Sequence, residues 1–521
     1  MQRPPPKRRA EAGSAKKPAP RGRPAADRYE GTFRRDRPAR EKPQRPFEPG
    51  RRERRALSHV GGAVTFQGGT ADEQAAIKSA LDVSADENSV MRDVHGFHSY
   101  PARLHPLTAH RLIEGLSKPG ARVFDPFCGS GTVIAEARAL GRVALGSDLN
   151  PLAVELAWLK SRGPTAREVE QLLASAERIA EVAEERRVRK AEPYVRYGAD
   201  DRERYPIHVL LELDSIAHGI GLLPKTEQSR ILRLVVSSIL TKVAYSEGDT
   251  TRQKAPRRLP SGFTIGLFME KTRELCERFA AYRDRIGDRA PRATVATADA
   301  RAVEGLETAS IDLIVTSPPY PGVYDYLEHH IHRLRWLGLK PGFLQEQEIG
   351  SRRGYRRLRF DEAVDLWREE MGACLREMRR LLASDGRGVV IVADSVIDRQ
   401  AFRADEAFAA IAGPNGLEVK VIASQERPIF LYGAEAAFDE APRREHLIVV
   451  RPGERPRRAK RPPEAPDREE PRAPSRTQTR SPDAPPKDPT RRRIVSGREP
   501  AAPKKGAPSG RASPRRTTRR P

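Results

Sequence analysis

Short apolar runs alternate with stretches of helical periodicity over much of this chain, the pattern of a parallel sheet covered by helices. Runs at 121–127, 142–148, 293–299, 311–316, 387–394, 417–423 and 445–450 predict seven strands. The alternation breaks once. From 161 to 292 no strand pattern occurs, and helical periodicity appears at 166–185, 226–245 and 267–285. That region encloses 246–262, SEGDTTRQKAPRRLPSG, a polar and basic stretch punctuated by Gly and Pro that no core could absorb. No internal repeat is evident. The expectation is an α/β, Rossmann-like, seven-stranded and mostly parallel sheet interrupted by a helical insertion.

Charge separates body from ends. The 521 residues carry 95 Lys and Arg against 71 Asp and Glu, a formal net charge of +24. Residues 1–55 hold 19 basic and 7 acidic side chains, residues 451–521 hold 22 and 8, and the middle is close to neutral. The two ends also contain 26 of the 45 prolines and few large apolar residues. Such segments bury too little surface to offset chain entropy, so both are expected to be disordered tails attracted to phosphate without regard to sequence. The body divides into 56–160, the insertion 161–292, and 293–450.

Three cysteines, Cys128, Cys276 and Cys374, with no CxxC pair, exclude a disulfide-stapled scaffold and a cysteine-rich zinc module. The N-terminal stretch has no apolar segment behind its basic start, and no run approaches the roughly 18 apolar residues of a membrane span. A soluble, cytoplasmic protein without membrane partners is expected.

Two constellations carry chemistry. The first is 123–132, VFDPFCGSGT, followed after the next strand by Gly146, Ser147 and Asp148. A strand that ends in a tight glycine turn and opens a helix lets backbone approach a ligand closely. An acidic residue at the tip of the neighbouring strand suits ribose hydroxyls. The pattern indicates a nucleoside cofactor. Ile134 stands where the third glycine of a dinucleotide fingerprint would fall, which argues against NAD.

The second is 312–320, DLIVTSPPY, which brings Ser317, Pro318, Pro319 and Tyr320 to the carboxyl end of a strand, where open α/β sheets bind ligands. Methylating an exocyclic amino group requires pulling on both amino hydrogens, so that the nitrogen lone pair leaves the ring and points at the methyl donor. The Ser317 oxygen and the Pro318 carbonyl offer two acceptors, and the prolines stiffen the backbone while removing N–H donors. Tyr320 offers a flat face for an extruded base.

DPFCGSGT resembles the S-adenosylmethionine-binding motif of the nucleic-acid amino-methyltransferases, and SPPY is similar to their (Ser/Asp/Asn)-Pro-Pro-Tyr motif. The resemblance covers about 95–160 and 293–450 and implies a class I methyltransferase fold with S-adenosylmethionine as cofactor. It places Asp125 near the methionine moiety, Phe127, Gly129, Gly131 and Thr132 in the cofactor turn, Asp148 on the ribose and Asp299 on the adenine amino group. It also implies that 97–106, FHSYPARLHP, closes over the methionine end, although His98 and His105 read equally well as surface residues of a loop. Ser at the first position of the catalytic tetrad, Ser317 to Tyr320, is most often the cytosine-N4 form, and Asp is commoner among adenine-N6 enzymes. A site-specific DNA methyltransferase acting on cytosine N4 is the expectation. The alternatives are adenine N6 in DNA, amino groups of guanine or adenine in RNA, and a binding protein that has kept the fold without catalysis.

Cytosine-C5 chemistry is disfavoured, because no cysteine follows a proline as a C5 nucleophile usually does. His329, His330 and His332 do not share one helical face, so no metal is expected. Tyr324 and Tyr326 are either walls of a base pocket or helix packing. The stretch 350–359, GSRRGYRRLR, is either a solvated loop or a set of phosphate contacts beside the site.

Overall fold

The computed structural model describes residues 63–83, 93–101, 103–245, 258–288, 290–429 and 435–453. Both basic tails and most of the polar stretch 246–262 lie outside those residues. Among the described residues eight strands form the main sheet: β1 (Val64–Gly68), β2 (Arg122–Asp125), β3 (Val143–Asp148), β4 (Thr294–Thr297), β5 (Ile311–Thr316), β6 (Leu382–Ala393), β9 (Leu417–Glu426) and β10 (Arg444–Pro452). A separate ribbon pairs β7 (Ser395–Ile397) with β8 (Gln400–Phe402).

The order across the sheet is β1-β9-β10-β6-β5-β2-β3-β4. Strands β6, β5, β2, β3 and β4 are mutually parallel, while β10 runs antiparallel to both β6 and β9 and β1 runs antiparallel to β9. All seven expected strands are present, and the sheet has one more than expected. The addition, β1, is a five-residue edge strand with no fully buried residue. Its apolar signal is limited to Val64 and Phe66, two alternate residues packed on the core, too short a pattern to mark a strand. At the other end of the body β10 runs two residues past the expected boundary at 450.

The central strands are apolar on both faces because helices cover both. Val123, Leu313 and Val389 pack with the helices Ala71–Leu81, Pro106–Leu116 and Thr132–Ala139. Their neighbours Phe124, Ile314 and Val390 pack on the opposite face with Phe360–Leu381 and Ala404–Ala412. Successive strand residues point to opposite faces, so two covered faces read as an unbroken apolar run.

The region 161–292 is helical as expected, with no strand among its described residues. Its helices are Ala166–Val188, Ala199–Arg204, Ile207–Leu222, Glu227–Ile239 and Phe263–Ile286. The first begins at a capping box, where Thr165 accepts from the Glu168 N–H and Glu168 accepts from the Thr165 N–H. The four longer ones build a third core with the helices Pro151–Lys160 and Tyr326–Leu337. Among the described residues no helix is long and apolar enough to cross a membrane.

From β2 the chain proceeds outward through β3 to β4, then returns to lay β5 on the other side of β2. The order reverses at β2 and β5, and a crevice opens beyond their carboxyl ends, where open sheets of this kind bind ligands. Both sequence motifs leave the sheet at that point.

Candidate active site

The turn after β2 is shaped by two glycines. Gly129 has φ +48° and Gly131 has φ +83°, conformations that favour glycine. A Cβ on Gly131 would stand 2.5 Å from the Ala157 Cα, so the residue also sets how closely Thr132–Ala139 packs on Pro151–Lys160. The turn is pinned to β3 from two sides. The Cys128 N–H donates to the Ser147 carbonyl at 2.9 Å, and the Gly129 N–H donates to Asp148 at 2.9 Å. Beneath it the buried Lys160 Nζ donates to Ser130 Oγ at 2.8 Å, and burial holds that ammonium well below its usual pKa.

A cleft lies above this turn. Its walls include Phe127, Gly129, Asp148, Asp299, Ser317 and Pro319, with Tyr100, Asn150, Tyr326 and Glu348 completing the enclosure. Among the described residues three carboxylates face it and no Lys or Arg lines it. Burial raises the Asp148 carboxyl to about 6 and the Glu348 carboxyl to about 7, although each accepts backbone N–H bonds that oppose the rise. Asp148 accepts from the Asn150 N–H at 2.8 Å, and Glu348 accepts from the Tyr326 N–H at 2.5 Å. Asp299 is held by its near neighbour Arg301, whose guanidinium donates to both carboxylate oxygens.

A second cavity opens on the other side of the SPPY loop. Pro318, Tyr320, Tyr324, Tyr326, Arg103 and Glu445 are among its walls. Ser317 and Tyr326 line both cavities, so Ser317 stands at their junction. Tyr320 is buried, and loss of solvent together with the nearby Glu445 pushes its hydroxyl pKa upward.

Of the residues expected to hold the cofactor, Phe127, Gly129, Asp148 and Asp299 face the cleft, whereas Asp125, Gly131 and Thr132 do not. Asp125 lies behind the wall. Its carboxylate accepts from Thr316 Oγ1 at 2.6 Å and from the Phe127 N–H at 3.1 Å, and burial raises its pKa to about 7. Gly131 and Thr132 are buried against neighbouring helices. All four residues Ser317 to Tyr320 reach one cavity or the other.

The segment 97–106 does reach the cleft, through Tyr100. Its ring stacks on His330 with centroids 4.8 Å apart, and Asn150 Nδ2 bonds His330 Nδ1 at 2.8 Å. His98 and His105 are buried, which corrects their reading as surface residues. His98 bonds Ser237 of the helical insertion at 2.9 Å, and His105 caps Pro106–Leu116. Tyr100 lies in the segment that the sequence pointed to, whereas Asn150, Glu348 and Glu445 were not singled out by the sequence. Only Asn150-Pro151 carried a local signal, as a helix start.

The stretch 350–359 packs beside the SPPY loop. The Gly322 N–H donates to the Gly350 carbonyl at 2.9 Å, and a Cβ on Gly350 would meet the Pro321 backbone. Arg352, Arg353, Arg356, Arg357 and Arg359 are all exposed there, while Tyr355 is buried. Arg352 and Arg353 pair with Asp325 and Glu348. The three histidines of Tyr326–Leu337 diverge, with His330 on Asn150 and His332 on the Tyr205 hydroxyl at 2.6 Å. Among the described residues two groupings have metal-ligand chemistry, Asp93-His95-Glu136 and Asp394-Asp405-His446, and none of their members lines either cavity. In each an arginine already pairs with a carboxylate, Arg285 in the first and Arg403 in the second.

Residues 39–158 match the model of a family described as DNA methylase, the N6/N4 methyltransferases. The matched segment contains the glycine turn and ends well before Ser317. Over 70 residues, 13% of this chain, the sequence is 39% identical to the type II methyltransferase M.MvaI of Kocuria varians. Over 105 residues, 20% of the chain, it is 25% identical to the type II methyltransferase M.MjaII of Methanocaldococcus jannaschii. The aligned parts span 15% and 20% of those relatives. Among solved structures, a TehB-like SAM-dependent methyltransferase from Corynebacterium glutamicum aligns with 66% of this chain and 86% of its own, at 12% identity and a TM-score of 0.24.

Proposed function

We propose that this chain is an S-adenosylmethionine-dependent methyltransferase that acts on the exocyclic amino group of a base in DNA, cytosine N4 first and adenine N6 as the alternative. The observation that carries the proposal is the position of Ser317, shared by an acidic cleft and an aromatic pocket. A methyl group moving between two ligands must cross at such a junction.

The cleft suits the cofactor by its charge. S-adenosylmethionine carries a sulfonium and an ammonium against one carboxylate, so its net charge is positive. A wall that has three carboxylates and no Lys or Arg among its described residues favours it and disfavours the pyrophosphate of a dinucleotide. Asp148 holds the ribose hydroxyls, Asp299 the adenine amino group, and Phe127 with the Gly129 backbone lines the nucleoside. The cofactor supplies an electrophilic methyl group. This chain's residues do the rest: Ser317 and the Pro318 carbonyl accept the target amino hydrogens, freeing the nitrogen lone pair, while Tyr320 and the neighbouring tyrosines enclose an extruded base. No covalent enzyme intermediate is needed.

DNA as the polymer is supported by the DNA methylase match and by the two type II methyltransferase relatives. Cytosine rests on the serine that opens SPPY. The exposed arginines of 350–359 stand where they would meet phosphates flanking the extruded base, and the basic tails add attraction without sequence preference. The test is transfer of an isotope-labelled methyl group to unmodified DNA by the full chain. Transfer that Ser317→Ala abolishes while cofactor binding persists supports the proposal, and absence of transfer by the wild type overturns it.

A further inference from the structure

Ser317 has one hydrogen, and it serves as an acceptor for the target amino group only if that hydrogen points elsewhere. Its Oγ lies 3.4 Å from the Tyr320 hydroxyl, which in turn donates to Glu445 Oε1 at 3.4 Å. The other carboxylate oxygen of Glu445 accepts from Arg427 Nε at 2.9 Å, and Arg427 is buried. Glu445 belongs to β10, opposite Gln425 of β9 and Ala393 of β6. Antiparallel β10 thus brings a residue near its start to the edge where β5 ends. Ser317, Tyr320 and Glu445 all line the second cavity, and Glu445 is the sole carboxylate among its described walls. An ionised carboxylate only accepts. The Tyr320 hydrogen is therefore committed to Glu445, the Tyr320 oxygen takes the hydrogen of Ser317, and Ser317 presents lone pairs alone.

We propose that Glu445 acts through Tyr320 and Ser317 as the positioning residue and the terminal proton acceptor for methyl transfer, an inference that rests on the function proposed above. As the amino nitrogen uses its lone pair to form the new N–C bond, the C–S pair leaves with sulfur and the nitrogen becomes cationic. It must then shed a hydrogen, and a serine hydroxyl is far too weak a base to keep it. The proton passes to Ser317 as Ser317 gives its own to Tyr320 and Tyr320 gives its own to Glu445. Both hydroxyls end as they began, and Glu445 becomes the neutral acid that cancels the charge on nitrogen. Arg427 balances the carboxylate between turnovers. The two 3.4 Å contacts are long for O–H···O bonds, as catalytic hydrogen bonds often are before substrate arrives.

The test compares full-length wild type with Glu445→Gln, Tyr320→Phe and the double variant in single-turnover methyl transfer to unmodified DNA. Two controls accompany it: calorimetric cofactor affinity, and the fluorescence of DNA containing 2-aminopurine bound without cofactor. Each single change should slow transfer about a hundredfold, the size of a lost proton-transfer group, with cofactor affinity and base extrusion unchanged. The double variant should be no slower than the slower single, because both cut one chain, and Glu445→Asp should recover about a tenfold share. Wild-type rates in either folded single variant, or losses that multiply in the double, would overturn the relay. If Glu445→Gln does not fold, Tyr320→Phe, which removes one oxygen, decides the matter. Failure of the wild type to methylate DNA would overturn the functional reading itself, whereas an active wild type with fully active variants overturns only the relay.

Discussion

The hydroxyl of Thr316 donates to Asp125 at 2.6 Å, and this buried contact joins the strand end that precedes SPPY to the strand end that precedes the glycine turn. Through it the walls of the two motifs share one hydrogen bond at the point where the sheet order reverses. Thr316→Val would leave the Asp125 carboxyl short of a donor and should destabilise the fold by about 1–3 kcal/mol. Burial lifts the Asp125 pKa from its ordinary value of 3.8 to about 7 in the folded protein. The folded state therefore holds this proton more tightly than the unfolded state, and its contribution to stability is present below pH 3.8 and lost as pH rises toward 7. Chemical denaturation at several pH values should show a shallower decline for Asp125→Asn than for wild type across that window. Parallel profiles would mean that Asp125 is already ionised at low pH.

Asp148 and Glu348 face the cleft with pKa values raised to about 6 and about 7. A cationic ligand favours their ionised forms, so S-adenosylmethionine affinity should rise with pH from about 5.5 to 7.5 and binding should release protons. Calorimetry in buffers of different ionisation enthalpy measures that release. Asp148→Ala should weaken binding by about 1.5–3 kcal/mol and reduce the proton release. Unchanged affinity in a folded variant would remove Asp148 from the cofactor site.

Gly131→Ala should be strongly destabilising although the residue touches neither cavity. Its φ of +83° disfavours a side chain, and a Cβ would press on the Ala157 backbone at 2.5 Å. A loss of about 2 kcal/mol or more in denaturant unfolding is expected for such strain and overlap. A wild-type midpoint would show that the two helices separate without cost.

The centre of the sheet was legible in the sequence because β2, β5 and β6 are buried on both faces and read as continuous apolar runs, whereas the exposed edge strand β4 was legible only from its β-branched residues. β1 was not, because in its five residues only Val64 and Phe66 turn to the core. Within the site, SPPY and the glycine turn were legible because backbone geometry dictates their residue types. Glu348 and Glu445 were invisible, since a lone glutamate gains meaning only when the fold brings it beside Tyr326 or Tyr320. The burial of His98 was hidden for the same reason. Its partner Ser237 is 139 residues away, in the insertion.

Removing residues 1–55 together with those after 453 should leave a folded protein that binds the cofactor, because the described residues lining the two cavities lie between those limits. Its DNA affinity should fall and the salt dependence should flatten, since fewer counterions are released. Arg356→Ala with Arg357→Ala in that truncated protein should flatten it further, by roughly one unit of slope per lost phosphate contact. Identical slopes for all three proteins would show that neither the tails nor the loop beside SPPY meets phosphate.

The central claim, methyl transfer to a base amino group at Ser317, is tested most directly by nucleoside mass spectrometry. Unmodified DNA and, separately, RNA are incubated with the full chain and S-adenosylmethionine carrying a deuterated methyl group, then digested to nucleosides. The expected result is deuterated N4-methylcytidine in its deoxy form from DNA, absent when Ser317→Ala replaces the wild type, with N6-methyldeoxyadenosine as the outcome that keeps the mechanism and changes the base. Label at cytosine C5, label in RNA alone, or no labelled base from either polymer would contradict it.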